Sequence, residues 1–116
     1  MNDTSPWKAL FEDLNKYSSS IFMKFNLESG GGYRFIPPSS SLGEKGYVTE
    51  TENLAYSDIV SIEIPECFSK GKVQFKNDIN TIKSLLEKMN LFQIITNSDK
   101  QTAGISGTTL SVSLRD

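Results

Sequence analysis

The spacing of apolar residues changes along this chain from a helical period to a strand period and back, which restricts the fold more than any other feature. In the first segment, apolar residues recur three, four, seven and ten positions after the first one, as on one face of an α-helix. Ser5 can cap such a segment, and Pro6 suits its first position. We therefore predict a helix over residues 6–17. Its apolar face consists of Trp7, Leu10, Phe11, Leu14 and Tyr17.

The stretch that follows has apolar residues at every second position from Ile21, which is the pattern of a half-buried β-strand. We predict strands over 21–27 and 33–36, joined by a turn at residues 30–32 because glycine tolerates the backbone angles of tight turns. Pro65 is expected to end a later strand. Side chains that favour β-structure predict further strands at 47–51, 59–64 and 73–75.

A second helix is predicted over residues 79–89, where a helical apolar face returns and Asn90 suits the left-handed residue that ends helices. Strands are predicted after it at 92–96, 101–105 and 110–114. This order of elements predicts an α+β fold: an antiparallel or mixed sheet of about five to seven strands with two helices packed on one face. The length of 116 residues is that of a single domain, spanning 1–116.

Composition argues against catalysis. The chain has no histidine, which removes the usual general base at neutral pH and the commonest metal ligand. Its one cysteine, Cys67, can form neither an internal disulfide nor a thiolate metal cluster. The glycine-rich stretches at 30–32 and 104–107 do not match nucleotide-binding motifs, which lead from a strand into a helix. We predict that the protein is not an enzyme and has no metal site and no cofactor.

The cellular compartment is predicted from what the sequence lacks. No apolar run approaches the ~20 residues that span a bilayer. The first residues, MNDTSPWKAL, do not show the basic start and apolar stretch of a secretion signal. We therefore expect a cytoplasmic protein without a membrane partner.

Charge is distributed unevenly along the chain. Residues 44–66 hold six acidic residues against one lysine, a net charge of −5, whereas residues 67–100 hold six lysines against three acids. Clustered charge accelerates association with a partner of opposite charge, and aromatic side chains among the charges supply anchors. The sequence thus predicts a basic protein partner for the acidic span 44–66. The predicted partner-binding residues are Tyr47, Glu50, Glu52, Tyr56 and Asp58.

Three other interpretations remain open. Glu50 and Glu52 would lie on one face of a strand if the strand predicted at 47–51 continues past Thr51, and paired carboxylates there can also perform acid/base chemistry or hold a cation. The segment Lys70–Lys76, with nearby Phe68 and Phe75, alternates bases and aromatics as in binders of single-stranded nucleic acid, although the acidic pI of about 5.1 disfavours this. A structural or adaptor homodimer, formed through an exposed sheet edge, is the third.

The opening WKALFEDL, the acidic span EKGYVTETENLAYSDIVSIEIPE and the missing histidine together resemble the small immunity proteins that bacteria make against polymorphic or contact-dependent toxins. The resemblance is one of general plan across the whole chain. It implies a short, cytosolic, non-enzymatic protein that binds and neutralises a cognate toxin. An acidic surface bearing aromatics could occupy the basic cleft of a toxin that cuts nucleic acid, in place of phosphate.

Overall fold

The computed structural model describes residues 5–97 and 104–115, apart from the side chain of Lys70, and this part of the chain contains two α-helices and eight β-strands. Helix α1 spans Pro6–Tyr17 and helix α2 spans Ile79–Met89. Short 3-10 helices lie at Ser39–Ser41 and Tyr56–Asp58. The strands are β1 Phe22–Leu27, β2 Gly30–Phe35, β3 Gly46–Val48, β4 Asn53–Ala55, β5 Ile59–Lys70, β6 Val73–Lys76, β7 Phe92–Asn97 and β8 Ile105–Leu114.

Six of these strands form one sheet in which every pairing is antiparallel. Their order is β2-β1-β5-β8-β7, with β6 also paired to β5. Because β8 lies along one edge of β5, β1 and β6 lie end to end along its other edge. Strands β3 and β4 form a separate hairpin. The predicted α+β fold with about five to seven strands is confirmed.

Both helices have the bounds that the sequence predicts. The Ser5 Oγ accepts a hydrogen bond from the Trp7 backbone N–H at 3.2 Å and so caps α1. Asp78 caps α2 by accepting a hydrogen bond from the Thr81 backbone N–H at 3.2 Å. Asn90 ends α2 in the left-handed conformation, with φ 55°.

One face of the six-stranded sheet, called the helix face below, carries the hydrophobic core. The ring centroids of Trp7 in α1 and Phe92 in β7 are 5.1 Å apart. The ring of Phe11 in α1 stacks on that of Phe25 in β1. Helix α2 contributes Leu86 and other apolar side chains to the same cluster, and the β3–β4 hairpin contributes buried residues as well. The prediction that both helices pack on one face of the sheet is confirmed.

The hairpin of β1 and β2 turns earlier than predicted. The turn consists of Glu28 and Ser29, and the glycines at 30–32 belong to β2. Glycine is required there for another reason: Gly31 has φ 143°, and a Cβ on it would collide with the Phe25 carbonyl oxygen. The prediction of a turn at 30–32 is wrong, because these glycines permit a close approach of two strands.

Strand β5 runs through Pro65 as far as Lys70, so the prediction that Pro65 ends the strand is wrong. The register with β8 shifts just after this proline, which is a β-bulge that accommodates its missing N–H. The Glu66 carboxylate contributes to the bulge by accepting a hydrogen bond from the Thr108 backbone N–H at 3.0 Å. Gly107, with φ 81°, lies against the Glu66 side chain.

The predicted strand over 47–51 is interrupted. Strand β3 ends at Val48, and the chain turns before β4 begins. The Thr49 Oγ1 stabilises this turn by accepting a hydrogen bond from the Glu52 backbone N–H at 3.1 Å. Glu50 and Glu52 therefore belong to a turn, and the prediction that they share one strand face is wrong.

The last strand is longer than predicted. Strand β8 begins at Ile105 and continues to Leu114, so the predicted strand at 110–114 is only its second half. Of the separate strand predicted at 101–105, residues 101–103 lie outside the described residues.

Candidate functional site

The two tyrosines of the predicted partner-binding set are core residues. Tyr47 and Tyr56 are 2% and 3% exposed. The Tyr47 ring lies edge-on to Phe11, with ring centroids 6.4 Å apart, and the Tyr56 hydroxyl donates a hydrogen bond to the Gly43 carbonyl at 2.9 Å. Both rings therefore hold the β3–β4 region against the helix face and do not offer exposed aromatic anchors.

Glu52 is the centre of a polar cluster beneath the hairpin. Its carboxylate forms a salt bridge with Arg34 of β2 and accepts a hydrogen bond from the Tyr47 hydroxyl. The Arg34 guanidinium also lies 4.6 Å from the centroid of the Phe25 ring. Burial, and then the bond to Glu52, raise the pKa of Tyr47 well above its ordinary value. The cluster fastens the hairpin to β2, and Arg34 neutralises the Glu52 charge locally.

The other two members of the predicted set lie apart from each other. Glu50 is exposed in the turn between β3 and β4. The Asp58 carboxylate accepts a hydrogen bond from the Ser29 hydroxyl at 2.7 Å, beside the β1–β2 turn. Further along the same span, Glu63 lies on the sheet and Glu66 in the β5 bulge. The −5 charge is thus spread over several parts of the molecule, and the partner-binding role of these residues stays a prediction.

A different group of side chains forms an apolar surface on the sheet. Because Met23 and Phe25 point into the core, Phe22 points to the opposite face, and strand pairing places Phe35 beside it. On the same face Phe68 of β5 pairs with Phe75 of β6. Within the described residues, no helix packs on this face. We call it the aromatic face; its rings are Phe22, Tyr33, Phe35, Phe68 and Phe75.

Phe22 lies at the centre of the aromatic face. Its ring is nearly parallel to those of Tyr33 and Phe75, with centroids 5.4 and 5.3 Å away, and the Phe68 centroid is 4.4 Å away. Phe22 itself is 7% exposed, whereas Tyr33 and Phe35 are 37% and 44% exposed. The rings thus bury one another in part and leave an apolar surface accessible to a partner.

Charged side chains flank the aromatic face. The Lys24 Nζ lies 5.8 Å from the centroid of the Tyr33 ring, and Lys24 pairs across the strands with Glu63. Lys72 is exposed in the β5–β6 turn, whereas Lys76, which pairs with Cys67, points to the opposite face of the sheet from Phe75. Burial, and then the Glu63 charge, raise the pKa of Tyr33. The flank therefore carries charges of both signs.

Sequence reasoning selected only part of this surface. Phe68 and Phe75 were identified as aromatics among lysines, but Phe22, Tyr33 and Phe35 were not connected with them. The missing information was the register of the first hairpin: a turn at residues 30–32 would not place Phe22 opposite Phe35, whereas the observed turn does. The available signal was the strand period itself, which puts Phe22 on the face opposite the core.

Two surface cavities complete the description. One of about 390 Å³ lies beside the start of α1, and one of about 370 Å³ lies between the end of α2 and β7. The first is lined by Ser5, Trp7, Glu44, Lys45, Tyr56, Ser57, Ile59 and Leu114. The second is lined by Glu87, Asn90, Phe92, Gln93, Ile94 and Arg115.

Neither helix in the described part of the chain is long and apolar enough to cross a membrane. Comparisons with protein-family models, with curated proteins and with solved structures give no match for this chain.

Proposed function

We propose that this protein is a non-enzymatic protein-binding domain and that the aromatic face is its contact surface. The observation that carries the proposal is the cluster of five aromatic rings on the sheet face opposite the core, with Tyr33 and Phe35 substantially exposed. Large exposed apolar patches on small proteins mark interaction sites, and aromatic residues are the side chains that most often dominate binding energy.

The mutual packing of the rings suits them to this role. Phe22 is held between neighbours on β2, β5 and β6, so the rings that surround it are restrained before a partner arrives. A preorganised surface loses less side-chain entropy on binding than a flexible one. The aromatic face therefore resembles a prepared contact area more than a set of isolated exposed residues.

The same packing disfavours nucleic acid as the ligand. Bases bind by stacking on ring faces that are open to solvent. Here the parallel neighbours of Phe22 are the rings of Tyr33 and Phe75, and Lys24 lies over the ring of Tyr33. The faces of the Phe22 ring are occupied by these neighbours, and the Tyr33 ring is contacted by Phe22 and Lys24, so both are poorly available for stacking on a base.

The flanking charges indicate the chemistry of the partner. Lys24 lies at the aromatic face beside Glu63, and Lys72 lies in the adjacent β5–β6 turn. A partner that fits this surface has an apolar patch with charges of both signs around it. The biological role that we propose is that of an immunity protein in the bacterial cytoplasm, and the partner is then a cognate toxin domain. The predicted contact between the acidic span and a basic toxin surface is the alternative form of the same role.

Calorimetry with the toxin-like product of the adjacent gene tests the proposal. The double variant Tyr33→Ser/Phe35→Ser removes the exposed part of the aromatic face. The matched control Tyr17→Ser/Val48→Ser removes a tyrosine and an apolar residue of comparable exposure elsewhere. We expect the face variant to bind at least about 100-fold more weakly and the control to bind within about twofold of the parent, provided that thermal melts show both folded.

Three outcomes would contradict parts of the proposal. Unchanged affinity of the folded face variant would exclude the aromatic face, and a loss confined to Glu50→Lys/Asp58→Lys would move the contact to the acidic span. Salt-sensitive binding of a labelled single-stranded oligonucleotide, lost in Lys72→Ser/Lys76→Ser, would establish the nucleic-acid interpretation instead. Absence of any toxin-like gene beside this one would count against the immunity role.

A further inference from the structure

Strand β7 forms an edge of the six-stranded sheet. It pairs with β8 on one side, and among the described residues no strand pairs with its other side. The cavity of about 370 Å³ between α2 and β7 is lined by Phe92 and Ile94, so the helix does not cover this part of the edge. An uncovered edge presents backbone donors and acceptors in the spacing that another strand requires.

The hydrogen bonds identify which backbone groups point outward. The Arg115 backbone N–H donates to the Leu91 carbonyl at 3.1 Å, so residues 91 and 115 form a hydrogen-bonded pair. In an antiparallel ladder such pairs alternate, and the next inward-facing residues are Gln93 and Ile95. The backbone groups that face away from β8 are therefore those of Phe92, Ile94 and Thr96.

The sequence of β7 has none of the features that usually protect an edge. FQIITN contains no charged residue, no proline and no glycine, and Ile95 is 50% exposed. Natural edge strands are commonly protected by lysine, by proline or by a bulge. The opposite edge, β2, differs: it begins with three glycines, two of them at φ 140° and 143°, and it carries Arg34. Strand β6, which pairs only with β5 among the described residues, ends in Lys76. Among the sheet edges in the described part of the chain, only β7 is regular and uncharged.

We infer that β7 is the interface for a second copy of this chain, with two β7 strands paired antiparallel about a two-fold axis. Around a two-fold axis, each β7 side chain lies near the same residue of the second copy or near a close sequence neighbour of it. A charged residue on β7 would therefore repel its counterpart, and β7 contains no charged residue. Centring the axis on Ile94 pairs Phe92 with Thr96 of the second copy and satisfies the outward groups of both strands. Because this two-fold contact uses the β7 edge of both copies, the assembly closes as a dimer.

The test is the mass of the protein in solution, measured by light scattering and sedimentation over a series of concentrations. The parent is expected to approach twice the 12.9 kDa of one chain as concentration rises. Ile95→Lys adds a charge at the interface, and Thr96→Pro removes an outward N–H, a position where an edge strand tolerates proline. Both variants are expected to remain monomeric, whereas the control Val48→Lys should dimerise like the parent.

Hydrogen exchange gives an independent reading of the same interface. In the parent, amide protons of Phe92, Ile94 and Thr96 should exchange more slowly at high than at low protein concentration, while those of Gln93 and Ile95 are protected at both. A parent that stays monomeric at millimolar concentration would overturn the inference. So would a dimer that survives in folded Ile95→Lys and Thr96→Pro but is lost in Tyr33→Ser/Phe35→Ser, which would place the contact on the aromatic face.

Discussion

Asn77 connects three strands of the sheet, and its replacement should lower stability more than its partial exposure suggests. Its side-chain amide donates to the Phe22 carbonyl at 2.8 Å and to the Pro65 carbonyl at 2.7 Å, while its Oδ1 accepts from the Phe22 N–H at 3.2 Å. The residue follows β6 directly and therefore closes the gap between β6 and β1 along the edge of β5.

The magnitude follows from these three bonds. A typical hydrogen bond contributes about 0.5–1.5 kcal/mol net, and a buried group left without a partner costs about 1–3 kcal/mol. Water can reach part of this site, so we expect Asn77→Ala to lower the free energy of unfolding by about 2–4 kcal/mol. At roughly 4 °C per kcal/mol for a domain of this size, the melting temperature should fall by about 8–16 °C.

Asn77→Asp provides a sharper test with nearly the same shape. The carboxylate would face two carbonyl oxygens, which favours its protonated form and raises its folded-state pKa above the unfolded value. Stability of this variant should therefore be greatest below the unfolded pKa and decrease as the pH rises through the folded pKa. Urea melts between about pH 3 and 7 measure the effect, with the exposed Asn53→Asp as control. If Asn77→Ala loses less than about 0.5 kcal/mol, or Asn77→Asp and Asn53→Asp respond to pH alike, the bridging role is refuted.

Two further predictions concern the core. Leu86→Ala should cost about 2–5 kcal/mol because the side chain is fully buried, and Leu85→Ala should cost less because it is only partly buried; equal losses in urea melts would contradict this difference. The pKa of Tyr47 is raised above its ordinary value of 10.0, so the stability that this tyrosine contributes is present below about pH 10 and is lost as the pH rises through its folded pKa. The Tyr47→Phe variant should therefore lose less stability than the parent between about pH 10 and 12. Equal losses would contradict the placement of the hydroxyl against Glu52.

The helices could be predicted from the sequence because their signals are local. The apolar face of residues 6–17 and the cap at Ser5 depend on side chains within a few positions, and the same holds for 79–89 with Asp78 and Asn90. Strands were predicted near every described strand except β4, which lies in a stretch expected to be a turn. Strand ends were not, because whether Pro65 ends β5 depends on the bulge opposite it in β8, which is far away in sequence.

The candidate site depends on contacts between distant residues even more than the strand ends do. The acidic span looked like one surface because its residues are neighbours in sequence, yet folding buries Tyr47 and Tyr56 and pairs Glu52 with Arg34, eighteen positions away. Conversely, the aromatic face assembles Phe22 and Phe68 from opposite sides of that span. Its formation depends on strand register, which is set by the apolar pattern together with the turn geometry, and the turn was predicted at the wrong residues.

The two proposed contact surfaces occupy different parts of one sheet and are compatible. Pairing through β7 continues the antiparallel sheet, so the dimer contact covers neither copy of the aromatic face. Across the dimer the strand order is β1-β5-β8-β7 followed by β7-β8-β5-β1 of the second copy. Seven strand spacings of roughly 4.8 Å each therefore separate the two β1 strands, a distance of about 34 Å along the sheet. We expect such a dimer to bind either two partner molecules or one partner with two equivalent sites. In the second case the second contact gains from the effective concentration that the first creates, so self-association and partner binding reinforce each other.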